Sequence, residues 1–113
     1  MAPEAGAASP AVVTVFRSRL APGAEPEYHE TADRMLALAR AVPGFVEAKT
    51  FAADDGERVT VVTFDSWDAH RAWRLHPEHR AAQRRGRERF YAWYAIAVCE
   101  LVAERTFGTP PPA

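Results

Sequence analysis

Asparagine is missing from the 113 residues, and lysine, glutamine and cysteine each occur once, as Lys49, Gln83 and Cys99. A single thiol excludes an internal disulfide and any metal site built from cysteines alone. Charge of one sign is also lacking. Fourteen Lys and Arg against 15 Asp and Glu give a net charge of −1, so no bulk field draws the chain to nucleic acid or a membrane. No apolar run approaches the ~20 residues that cross a bilayer, and no transmembrane helix is expected. The Ala- and Pro-rich start, Met1 to Pro10, has no basic segment followed by an apolar one, so it does not read as a secretion signal. The expectation is a cytoplasmic protein of one domain with a single modest core.

The apolar residues that are present carry two periods. Val12 to Leu20 reads as a strand of β-branched and aromatic residues, with Arg17 and Arg19 on the same face as Val13 and Val15. Glu25 to Val42 reads as a helix. Its apolar stripe is Tyr28, Ala32, Met35, Ala39 and Val42, and Pro43-Gly44 ends it. Phe45–Ala53 and Glu57–Asp65 read as strands joined by an Asp55-Gly56 hairpin in which both central residues take positive φ. Ser66 caps a short helix, Trp67–Arg74, and Pro77 opens the first turn of the next. From Phe90 the period becomes two, and the last strand runs to about Val102. Residues 1–11 and 104–113 read as tails around a domain at 12–103, the first of them disordered.

Strand, helix, strand, strand, broken helix, strand is the ferredoxin-like βαββαβ order. The fold class is α+β, a four-stranded antiparallel sheet with its helices on one face. In the last strand Trp93, Ala95 and Ala97 alternate with Tyr94, Ile96 and Val98, so both faces are apolar and both call for cover. Helices of the same chain cover one face. A second copy covering the other predicts a homodimer, a closed dimeric α+β barrel.

Several stretches carry a resemblance. They are Leu20-Ala-Pro-Gly-x-Glu25, Val42-Pro-Gly-Phe45, the Asp-Gly hairpin and, above all, His76-Pro-Glu-His-Arg-Ala-Ala-Gln-Arg-Arg-Gly-Arg-Glu-Arg-Phe-Tyr91. Over about Val12 to Val102 the chain resembles the antibiotic biosynthesis monooxygenase family. The resemblance implies the dimeric barrel and an enzyme that oxidises electron-rich aromatics such as anthrones or quinols with O₂ and no cofactor. Other relatives bind and degrade haem, using an Asn, a Trp and a His. Here no Asn exists, and Gln83 stands where their axial His would be.

Candidate site residues follow from the side chains between sheet and helices. His70 lies three residues before Trp73 on one helical face, where relatives carry an apolar residue. It reads either as a rim histidine bonded to a carbonyl or water, or as the base of a pocket. Arg17 is the candidate for stabilising a substrate anion, if its end of the strand opens to the pocket. Trp73, Phe64, Trp93, Tyr28 and His29 are the candidate walls for a small aromatic substrate. His76 and His79 read as residues of a helix start; two histidines without further ligands give no metal site. The arginines at 84, 85, 87 and 89, interleaved with Glu88, read as a solvated helix face and not a nucleic-acid site. Two alternatives stand beside the oxygenase: a haem-binding relative with His70 on iron, and a non-catalytic dimer that binds an aromatic ligand.

Overall fold

A computed structural model describes residues 9–111. The expected disordered tail falls largely on residues 1–8, outside the described residues. The elements run β1 (Val12–Leu20), α1 (Glu25–Arg40), β2 (Phe45–Ala52), β3 (Arg58–Phe64), α2 (Trp67–Arg74), α3 (Pro77–Arg85), a π-helical turn (Gly86–Phe90) and β4 (Tyr91–Glu100). The sheet is antiparallel throughout, in the order β2-β3-β1-β4. This is the ferredoxin-like α+β fold.

Register assigns the faces. Ala48, Val62, Thr14 and Val98 form one cross-strand row, and Thr50, Thr60, Phe16 and Ile96 form the next. These rows face the helices. The rows between them, Lys49–Val61–Val15–Ala97 and Phe51–Val59–Arg17–Ala95, face away. Among the described residues no helix covers that second face.

The helical layer packs in two places. At one end Ala39, Phe64, Ala69 and Trp73 are buried, with Met35, Leu38, Val42, Phe45 and Val62 against them. At the other, Ala24, Tyr28 and Phe90 are buried with Leu20, Ala32 and Tyr91. Between these two plugs the layers do not close. Ile96 and Val98 point toward the helices yet stay 47% and 43% exposed. Cover on this face of β4 was expected from the sequence. It is incomplete because α1 packs on β2 and α2 on β3, at the far side of the sheet.

Local chemistry explains the ends. Ser66 accepts a hydrogen bond from the Ala69 N–H at 3.1 Å and so caps α2. His76 Nδ1 accepts from the Glu78 N–H at 3.1 Å and caps α3, with Pro77 in the first turn. The β2–β3 turn differs from the expected two-residue type. Only Gly56 has positive φ, +91°, and Gly56 N–H donates to Ala53 O while Ala53 N–H donates to Glu57 O. This is a three-residue loop with the glycine as its left-handed residue. The π-helical turn is a second difference. A Cβ on Gly86 would lie 2.5 Å from the Tyr91 ring, so the missing side chain is what lets that ring lie on the backbone.

Candidate active site

The gap between the two plugs is a cavity of about 680 Å³, within the ~300–1,000 Å³ range of small-molecule sites. The sheet gives it a floor of Thr14, Phe16, Thr60, Val62, Ile96 and Val98. Tyr28, Ala32, Met35 and Ala39 from α1 line one wall, and His70, Trp73, His79 and Gln83 from α2 and α3 line another. Two groups of side chains stand at opposite ends, one built around histidines and one around tyrosines.

At the histidine end His70 is 7% exposed. Its ring meets Trp67 edge-on at 5.6 Å and Phe64 at 6.3 Å between centroids. Nδ1 is buried and has no hydrogen-bond partner among the described residues. Burial, with the Arg74 charge adding, pushes its pKa below the ordinary 6.5. His70 is therefore a neutral imidazole near pH 7, with a buried nitrogen that no described residue satisfies. His79 sits beside it in a different way. Its ring stacks on Trp73 at 4.1 Å and 13°. The Trp73 carbonyl can only accept, so His79 Nδ1, 3.0 Å away, must be the donor. The neutral ring then carries its lone pair on Nε2. Burial lowers the His79 pKa, partly offset by that same carbonyl bond.

At the tyrosine end Tyr28, Phe90 and Tyr91 meet edge to face, Tyr28–Phe90 at 6.1 Å and Tyr28–Tyr91 at 5.9 Å. Phe16 joins Tyr91 at 5.3 Å and Tyr94 at 5.6 Å. Burial raises the pKa of both Tyr28 and Tyr91, so both phenols stay protonated. The Arg58 guanidinium lies 5.6 Å over the Tyr28 ring.

Of the residues singled out in the sequence, His70, Trp73, Tyr28 and His29 border the cavity. Phe64 lies in the plug beneath His70 at 1% exposure and does not reach the cavity wall. Arg17 and Trp93 are on the opposite face of the sheet. Arg17 holds Glu57 through two hydrogen bonds of 2.9 Å and lies 5.3 Å over the Trp93 ring. Strand alternation puts positions 13, 15, 17 and 19 on the uncovered face, and no bend of β1 turns Arg17 inward. His79 was not singled out for the pocket. The break at Leu75-His76 carries it back over Trp73, a placement that spacing within one helix does not give.

The cavity, its position between helices and sheet and the fold around it can be set beside known proteins. Residues 11–85 match the antibiotic biosynthesis monooxygenase family. The chain belongs to that family. The uncharacterized protein YqjZ of Bacillus subtilis (strain 168) is 42% identical over 80 residues, 71% of this chain and 70% of that one. Among solved structures, SnoaB, a cofactor-independent oxygenase from Streptomyces nogalater, superposes with a TM-score of 0.72 at 20% identity, over 89% of this chain and 100% of that one. A dimeric ferredoxin-like protein of unknown function from Thermobifida fusca gives a TM-score of 0.64 at 21% identity, over 82% and 92%. At these identities the structural likeness carries the fold alone.

Proposed function

We propose that this protein is a cofactor-independent monooxygenase that oxidises a polycyclic or phenolic aromatic of the anthrone or quinol type. The observation that carries the reading is the aromatic-walled cavity bordered by His70, a histidine that burial keeps neutral. Family membership supports the reaction class.

His70 acts as general base. It takes a proton from the acidic carbon or phenol of the bound substrate, leaving an electron-rich anion. The anion passes one electron to O₂, the resulting radical pair combines, and the hydroperoxide loses water to give the quinone. The proton held on His70 returns to the departing oxygen. One O₂ is consumed, one of its atoms enters product and the other leaves as water. The apolar lining serves this chemistry because bound rings displace water from around the anion. Trp73 and the His79 ring stacked on it supply a flat aromatic wall for the rings.

The protein acts as a homodimer in this reading. The uncovered sheet face carries Val13, Val15, Val59, Val61, Trp93, Ala95 and Ala97. Exposed apolar surface costs about 25 cal/mol per Å², and a two-fold copy of the same face removes it. That the Thermobifida fusca protein of the same fold is dimeric supports a dimer here.

The test is incubation of the pure protein with dithranol, a dihydroxyanthrone, following quinone absorbance and O₂ consumption. Quinone formation above the buffer rate, abolished under nitrogen, supports the oxygenase. Binding without turnover assigns a ligand-binding protein instead. A Soret band on adding hemin, lost in His70→Ala, assigns the cavity to haem.

A further inference from the structure

The arginines divide by whether they have a partner. Arg17, Arg19, Arg34 and Arg89 each hold a carboxylate, of Glu57, Asp55, Glu78 and Glu27 respectively. None of these four lines the large cavity. Arg58, Arg74 and Arg87 do line it, and among the described residues none of the three has an ion pair or a side-chain hydrogen bond. Arg74 and Arg87 are exposed, as unpaired surface arginines commonly are. Arg58 is different. It and Arg19 are the two half-buried arginines among the described residues, and Arg19 has Asp55. Arg58 has the face of Tyr28.

A half-buried guanidinium carries five donors and normally spends them on carboxylates or carbonyls. A cation–π contact offsets part of its charge and satisfies none of those donors directionally. The sheet register fixes where the group stands. Arg58 lies in the cross-strand row Ala52–Arg58–Ser18–Tyr94 on the helix side, with Tyr94 also lining the cavity. Phe64, beneath His70, is six residues further along the same strand, a span of about 20 Å between backbone positions at ~3.3 Å per residue. The cation and the base thus hold opposite ends of one apolar cavity. The only acidic side chain along its lining is Asp33, which is exposed.

We infer that the substrate of this cavity is an aromatic carrying a carboxylate, held by Arg58 at the tyrosine end while the reacting ring lies against His70 and Trp73. This deepens the oxygenase reading and rests on it for the identity of the site. One guanidinium fork matches the two oxygens of one carboxylate. Arg58 is then a specificity residue: it anchors the rings lengthwise and selects acids over their neutral analogues.

The experiment compares two probes with the same ring system. Rhein is a dihydroxyanthraquinone carboxylate; aloe-emodin carries a hydroxymethyl group in place of the carboxylate. Affinities come from quenching of tryptophan fluorescence at neutral pH, with folding of each variant checked by circular dichroism. The wild type should bind rhein about 10- to 100-fold more tightly than aloe-emodin, the range for a charge-assisted pair over a neutral one. Arg58→Met should bring rhein down to the level of aloe-emodin, weakening rhein by far more than it weakens aloe-emodin. Arg58→Lys, which keeps the charge and loses the fork, should retain part of the preference and serves if the methionine variant does not fold. Arg74→Met should keep it all. Equal wild-type affinity for the two probes, or a preference that survives in Arg58→Met and Arg58→Lys alike, overturns the assignment while leaving an aromatic site in place. Binding of neither probe overturns the aromatic site itself.

Discussion

Replacing His70 by leucine separates a histidine kept for chemistry from one kept for packing. Nδ1 is buried with no partner among the described residues, and an unsatisfied buried polar group costs about 1–3 kcal/mol. Leucine removes that cost and suits the apolar surroundings of Phe64, Ala69 and Trp73. It forfeits the edge contacts of the imidazole with Trp67 and Phe64, each worth about 0.5–1.5 kcal/mol for aromatic pairs of this kind. The two lost contacts together match the cost removed, so the effects offset and the melting temperature should stay close to the parent's; a net change of about 1 kcal/mol either way would move it by about 4 °C in a domain this size. Loss of a general base lowers turnover by about 10²–10⁴. Thermal unfolding and dithranol oxidation on the same preparation read both effects. A variant less stable than its parent by 1 kcal/mol or so, with turnover intact, would refute the reasoning and return His70 to the core. The pH profile adds a sign. Burial holds His70 and His79 below the ordinary 6.5, so below that pH the unfolded chain binds protons that the folded chain refuses. Stability is then complete above about pH 6.5, falls as pH falls, and levels off below the folded-state pKa values. His70→Leu should make that fall shallower.

Two further substitutions probe the frame of the site. Gly86→Ala would place a Cβ 2.5 Å from the Tyr91 ring, which is enclosed by Phe16, Tyr28, Phe90 and Tyr94; overpacking of this kind costs about 1–3 kcal/mol, and a lower denaturant midpoint with weakened aloe-emodin binding is expected. Ala97→Glu puts a charge in the middle of the uncovered sheet face, beside Val15. If two copies meet there, sedimentation should show a dimer for the wild type and dissociation or strong destabilisation for the variant; a variant as dimeric and stable as its parent means that another face is used.

Strand periodicity made the fold legible, because β1 and β4 show which residues share a face before any packing is known. The same alternation already set Arg17 beside Val13 and Val15. What it could not tell was which face the helices cover, and a candidate anion holder therefore ended on the other side, paired with Glu57. His70 was legible as an ionisable group on an apolar helical stripe. His79 was not, because a helix start accounts for a histidine near Pro77, while its stacking on Trp73 arises from the angle between α2 and α3. Arg58 opens a strand in a sequence rich in arginine. Only the pairing of its neighbours with carboxylates elsewhere marks it out. The π-helical turn has no local signature, since it depends on the Tyr91 ring lying against Gly86.

The most direct test of the account is a crystal structure of the protein with an anthraquinone bound. The rings should lie between the helices and the sheet, against Trp73, with a carbonyl oxygen or the carbon opposite it within reach of the His70 ring. Rings bound instead on the uncovered face, over Trp93 and Arg17, would contradict it.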